Sequence, residues 1–236
     1  MGKTTLVVNL ALKSKVPFYL FETEMDRVVL AENMIYAAAE LDSKLMRQGK
    51  ITDDDIGLAN YKAEWLSEAD FWIDNTPTLT PSFLRAEIGR RIALTGRGVF
   101  CIDHIQNIRT DGKSRGARED MNEISRSLKE IAREHAIPLV ALSHLTREVE
   151  KRVDKRPKDA DLRESGSIES DADTTLHMYC HGHYNRDFPY QNVTEIGIGK
   201  NRHGPANVTK LIYYDRTTGK VDDLDAQGKQ DYMGAL

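Results

Sequence analysis

Two cysteines, Cys101 and Cys180, are all that 236 residues contain, too few for the disulfide framework of a small secreted domain. Long apolar runs are missing as well: none approaches the ~20 residues needed to span a bilayer, so a transmembrane helix is not expected. Excess positive charge is absent, 33 Lys and Arg against 37 Asp and Glu giving a net charge of -4. The chain as a whole is therefore no polycation drawn to duplex DNA or membrane, and any nucleic-acid site must be a local patch. Internal repeats and low-complexity tracts are also lacking. Lys3 before the apolar Leu6 to Leu12 imitates a secretory leader, but Asn9 breaks the run and no small-residue cleavage site follows. Met1-Gly2 imitates a myristoylation signal, yet Leu6 stands where Ser or Thr is required. A reducing cytoplasm is the expected setting.

What is present is enough apolar material, 40% of residues, for one domain with a sizeable core. Helical spacing of apolar residues runs through Leu6 to Leu12, Val28 to Leu41, Ile56 to Leu66 and Phe83 to Leu94, the last following Pro81, a residue suited to a first helical position. Between these lie short apolar runs, Phe18 to Phe21, Phe71 to Ile73, Val99 to Ile102 and Leu139 to Leu142. They are too short for buried helices and rich in aromatic or branched residues, so the alternation predicts βα units on a largely parallel sheet. Met121, Ile124, Leu128, Ile131 and Ala132 form one apolar stripe beside Arg126, Lys129 and Arg133, an amphipathic helix lying on that sheet. After about residue 174 the pattern turns to strands, Thr174 to Tyr179, Glu195 to Ile198 and Val208 to Tyr214, with turn signals at His181-Gly182 and His203-Gly204-Pro205. The expected division is a domain over residues 1–218 and a polar, frayed tail over 219–236.

Gly2-Lys3-Thr4-Thr5 opens a helix and matches the end of a Walker A loop, in which backbone N–H groups and the helix N-terminus hold phosphates, the lysine reaches the β- and γ-phosphates and the hydroxyl binds Mg²⁺. Taken alone, these four residues fit an ordinary capped helix start better, and the context decides. Val99-Phe100-Cys101-Ile102-Asp103 adds an apolar strand ending in the carboxylate that a Walker B position requires at the carboxyl edge of a parallel sheet. Glu22 and Glu24 follow the Phe18 to Phe21 strand, where a carboxylate can serve as base for a hydrolytic water or simply be solvated.

Further blocks carry a resemblance. Asp161-Leu-Arg-Glu-Ser-Gly-Ser-Ile-Glu-Ser-Asp-Ala-Asp173, Glu123-Ile-Ser-Arg-Ser-Leu-Lys129, Val140-Ala-Leu-Ser-His-Leu-Thr-Arg147, Asp154-Lys-Arg-Pro157 and Lys200-Asn-Arg-His-Gly-Pro205 resemble the motifs of DnaB-type replicative DNA helicases, in family order from residue 1 to about 215. The resemblance implies a RecA-like α/β sandwich, a mainly parallel sheet flanked by helices with antiparallel strands near the C-terminus. It also implies an ATP-driven, Mg²⁺-dependent hexameric ring that translocates 5′ to 3′ on single-stranded DNA, with primase and a helicase loader as possible partners and no membrane. Residue by residue, Gly2, Lys3, Thr4 and Thr5 would bind ATP, and Thr4 and Asp103 would bind Mg²⁺. Glu24 would be the catalytic base, and His144 would stand at the γ-phosphate sensor. Lys200 and Arg202 would reach the γ-phosphate held by a neighbouring subunit. Arg163, Glu164 and Gly166, with Arg115 and Arg118, would face DNA. The family usually carries Gln at position 144, so His144 looks more like the ring helicases of some phages and mitochondria. The family's collar domain, linker helix and first half of the phosphate loop have no counterpart in the sequence, and weak ATP binding is the corresponding expectation.

Other readings stay open at this level. One is a non-catalytic DNA-binding or assembly fragment; another is an ATPase of the recombinase or clock branches, which the Asp161 to Asp173 block disfavours. Cys180, His181 and His183 are close enough in sequence for a metal site, but a structural zinc needs four ligands, and a hairpin turn is the simpler expectation. The basic clusters Arg109, Lys113, Arg115, Arg118 and Arg147, Lys151, Arg152, Lys155, Arg156, Lys158 are either solvated faces or phosphate contacts.

Overall fold

The computed structural model describes residues 2–162 and 166–236. The first half of the chain alternates helix and strand: α1 (Lys3–Lys13), β1 (Phe18–Glu22), α2 (Arg27–Ala39), α3 (Ser43–Arg47), α4 (Asp53–Ser67), β2 (Phe71–Asp74), α5 (Pro81–Thr95), β3 (Val99–Asp103), α6 (Ala117–His135) and β4 (Leu139–Ala141). The second half is mostly extended, with α7 (Gly166–Asp171), β5 (Thr174–Tyr179), α8 (His181–Tyr184), β6 (Val193–Asn201), β7 (Val208–Tyr214), β8 (Val221–Asp223) and α9 (Ala226–Ala235).

All five residues of β1 are buried, because β1 lies inside a parallel sheet of order β2-β1-β3-β4 with helices on both faces. Its side chains alternate between two cores. Tyr19 and Phe21 join Phe100, Ile102, Leu84, Ile88, Ile124, Leu128 and Ile131 under α5 and α6, while Phe18 and Leu20 join Cys101, Val7, Val8, Leu30 and Met34 under α1 and α2. Each such side chain contributes about 1.5–3 kcal/mol of burial energy, which explains why a continuous apolar run, rather than an alternating one, encodes this sheet. Local signals set the helix starts. Thr80 caps α5 ahead of Pro81, and Thr52 with Asp55 forms a capping box on α4.

A second, antiparallel sheet has the order β5-β6-β7-β8. In β5 exposure alternates, Thr175, His177 and Tyr179 pointing in and Leu176 out. The link from β5 to β6 carries the short helix α8 where a turn was expected. The tail also differs from expectation. Residues 219–236 supply β8 and α9, and Tyr232 is fully buried against Phe188 and Val193 with its hydroxyl donating to Glu195 Oε1 at 2.7 Å. One aromatic anchor in a polar segment leaves no stripe to detect, yet it docks the helix. Asn9 of α1 ties β8 in place, donating to Gly219 O and accepting from Val221 N, both at 2.8 Å. Among the described residues no helix is long and apolar enough to cross a membrane.

Candidate active site

β1 and β3 run side by side so that Glu22 is in register with Asp103 at their carboxyl ends. The first turn of α1 reaches the same edge: Thr4 Oγ1 donates to Asp103 Oδ2 at 2.5 Å. Gly2, just before the helix, adopts φ 71° and ψ 9°, left-handed backbone that suits glycine, and a Cβ there would sit 3.0 Å from Tyr214 Cε1. Thr5 Oγ1 lies 3.3 Å from Tyr214 Oη. Beside them, a cavity of about 170 Å³ is lined by Gly2, Met178, Thr194, Tyr214 and Arg216. Burial lowers the pKa of Lys3, with Asp103 and Glu24 pulling it back up.

The two glutamates have different surroundings. Glu22 is 1% exposed; its Oε1 accepts from the backbone N–H groups of Glu24 and Met25, each at 2.8 Å, and its buried Oε2 has no hydrogen-bond partner among the described residues. Burial raises the Glu22 pKa against those two hydrogen bonds, and the charges of Asp103 and Glu24 add to the rise. Glu24 points outward on the loop that Glu22 braces, its Oε2 3.5 Å from His104 Nδ1. Asn75 donates to the backbone oxygens of Glu22 and Met25 and fixes the same loop.

His104 stacks on His144, ring centroids 3.9 Å apart and 18° from parallel. Burial lowers the His144 pKa, and the positive fields of His104 and Lys3 lower it further. Gln106 sets the position of this loop, accepting from His144 N at 3.2 Å and donating to Ser143 Oγ at 2.9 Å. His104, Gln106 and Asn75 were not singled out in the sequence. The one signal was proximity, His104 directly after Asp103 and Gln106 two residues further on; Asn75 had none.

The structure thus brings together Lys3, Thr4, Glu24, Asp103 and His144. It does not bring Lys200 or Arg202 to them. Lys200 Nζ donates to the carbonyls of Glu169 and Ser170 at 2.6 and 2.8 Å, and Arg202 reaches Asp173 Oδ1 at 3.1 Å and Ser170 O at 2.9 Å. Asn201 pairs with Thr174 at the start of β5, whereas the residues near Gly2 lie at its end. At ~3.4 Å per residue that separation is roughly 15 Å within one chain.

Arg115 and Arg118 are exposed at the N-terminus of α6, Arg115 paired with Glu123. Gly166 opens α7, and a Cβ there would meet nothing within 4 Å; Arg163 and Glu164 lie outside the described residues. The second basic cluster is not uniformly a solvated face. Arg152 holds Asp161 at 2.7 Å, and Arg156 grips the 6% exposed Glu195 with two bonds of 2.7 Å. Cys180 Sγ contacts Val193 O at 3.3 Å, and the His181 ring packs on Phe188.

A strand-end carboxylate that accepts from a hydroxyl in the first turn of a helix, at the edge of a parallel sheet, defines the class of protein: a RecA-like P-loop domain. Within that class the chain belongs to the DnaB-like helicase C terminal domain family, which it matches over residues 1–221. It is 39% identical over 218 residues to the replicative DNA helicase DnaB of Geobacillus stearothermophilus, covering 90% of this chain and 48% of that protein; the chain spans about half the length of such relatives. Among solved structures, one described as an ATPase domain superposes with a TM-score of 0.90 at 26% identity, over 95% of this chain and 81% of that one. A DnaB-like replicative helicase, described with its interactions with primase, gives 0.91 at 26% identity, over 95% of this chain and 56% of that one.

Proposed function

We propose that this chain is the motor of an ATP-dependent replicative DNA helicase, acting in the cytoplasm as a hexameric ring that moves 5′ to 3′ on single-stranded DNA. The observation that carries it is the Thr4–Asp103 contact at the start of α1, with Lys3, Glu24 and His144 around it. Thr4 and Asp103 fit Mg²⁺: a hydroxyl and a carboxylate already converge, and the neighbouring Glu22 Oε2 is a buried oxygen with no hydrogen-bond partner among the described residues. When bound, the ion would neutralise charge on the phosphates.

Each residue then has a task. The N–H groups at the start of α1 and the Lys3 ammonium hold the phosphates, and partial burial strengthens that grip. The sugar and base extend toward the cavity between Gly2, Tyr214 and Arg216. Glu24, exposed and braced by Glu22, takes the proton of the attacking water. His144, held largely neutral by its lowered pKa, can donate a hydrogen bond to the γ-phosphate. Lys200 and Arg202, too far to act in their own chain, serve the site of a neighbouring subunit by exchanging their carbonyl and Asp173 contacts for phosphate. Gly166 with Arg163 and Glu164, together with Arg115 and Arg118, follows the DNA backbone. Primase and a loader are the proposed partners, primase because the DnaB-like neighbour is described with it.

The test is ATP hydrolysis and strand separation by the protein expressed from its own gene. Turnover should rise with single-stranded DNA of any sequence, and DNA binding should weaken with salt at a log–log slope of about -0.7 per phosphate contacted. Lys3→Ala should abolish both activities. Sequence-specific binding without hydrolysis would favour a DNA-binding role instead.

A further inference from the structure

Glu24, His104 and His144 come from three separate segments: the loop after β1, the residue after β3 and the loop after β4. One donor atom of each lies within 4.8 Å of the other two. Two imidazole nitrogens and a carboxylate oxygen are a donor set suited to Zn²⁺ and its first-row neighbours, whereas Mg²⁺ prefers oxygen alone. Zn–N bonds of about 2.0–2.1 Å in a tetrahedron bring donors to roughly 3.3 Å from one another, so the cluster must tighten. The side chains that need to move have room. Glu24 is 60% exposed and His144 half-buried, while His104, 6% exposed, is the fixed point. The His144 ring, now stacked on His104, has to tilt out of that stack for both rings to face one ion. Lys3, Thr4 and Asp103 are not among the three donors, so this set shares no ligand with the pair fitted to Mg²⁺ beside it.

We infer that Glu24, His104 and His144 bind Zn²⁺ with the fourth coordination position open. The consequence rests on the function proposed above: a carboxylate held on Zn²⁺ cannot accept a proton from water, so zinc is a reversible brake on hydrolysis.

The experiment separates the two claims. Co²⁺ is titrated into the protein without nucleotide, its visible absorption reporting tetrahedral binding, and Zn²⁺ is then added to displace it. Displacement at micromolar Zn²⁺ is expected, weakened at least ~10-fold by Glu24→Gln, His104→Ala and His144→Ala. His181→Ala/His183→Ala should leave it unchanged. Glu24→Gln lies on an exposed side chain and keeps the test valid if the buried His104 variant does not fold. No Co²⁺ spectrum, or affinity insensitive to Glu24→Gln and His144→Ala, would overturn the site. Zn²⁺ that binds here but leaves ATP turnover unchanged would confirm the site and overturn Glu24 as the base.

Discussion

The two sheets of this molecule are stabilised in different ways, and the difference separates their tasks. The parallel sheet is buried on both faces by apolar side chains, and its chemistry gathers at the carboxyl edge, where Glu22 and Asp103 end neighbouring strands. The antiparallel sheet is held by polar struts: Asp159 with His177 at 2.7 Å, Arg156 and Tyr232 on Glu195, and Asn9 on β8. Gly199 shows how tight these struts are, since a Cβ there would fall 2.6 Å from the Asp159 carboxylate. Lys200 in β6 and Arg202 directly after it are the cations expected to leave their own chain, and the Arg202–Asp173 pair, 46% and 47% exposed, can exchange partners at little cost.

Substitutions can break this contrast. The largest effect is expected from Arg202→Ala, a loss of about 10³ to 10⁵ in ATP turnover with nucleotide binding largely kept, read by steady-state kinetics beside equilibrium binding. Phe100→Ala, in the middle of the parallel sheet and stacked on Tyr19, should cost about 3–5 kcal/mol in urea denaturation. Tyr232→Phe removes one bond to Glu195 and leaves Arg156 in place, so its cost should be about 1–2 kcal/mol; a value equal to that of Phe100→Ala would erase the distinction between the sheets. Asp222→Asn at the α1–β8 contact should cost under about 1 kcal/mol, because Lys13 and Asp222 are 57% and 42% exposed. Lys13 first, then Lys220, holds the Asp222 pKa below its ordinary value. That small contribution is therefore present above the unfolded carboxylate pKa and is lost as pH falls through the lowered value. Melting temperatures of the parent and Asp222→Asn should converge in acid and differ near neutrality.

Legibility followed repetition in the sequence rather than the division into two sheets. The strands β5 and β7 fall on the residues their alternation and composition indicate, and β1 to β4 follow from apolar runs, because burial writes a repeated signal. Elements without repetition were missed. Helix α3 has five residues, β8 has three, and α9 depends on Tyr232 alone. At the candidate site, Lys3, Thr4 and Asp103 could be named because a helix start and a strand end follow in P-loop order, and Glu24 and His144 were assigned through the resemblance to the helicase family. The supports could not: Gln106 and Asn75 act through hydrogen bonds that exist only once separated loops meet. The clusters of Arg and Lys gave no hint that Arg152 and Arg156 would turn inward, since their acidic partners Asp161 and Glu195 are assigned only by the fold.

The most direct test of two sheets working across a subunit boundary is a mixing experiment on the protein expressed from its own gene. Arg202→Ala subunits and Lys3→Ala subunits should each be nearly inactive, the first lacking the cation supplied to a neighbour and the second the phosphate grip. In mixed assemblies, some boundaries join an intact Lys3 to an intact Arg202, and ATP hydrolysis should return in a ratio-dependent way. Confirmed co-assembly with no recovery at any ratio would contradict a role for Arg202 across the boundary.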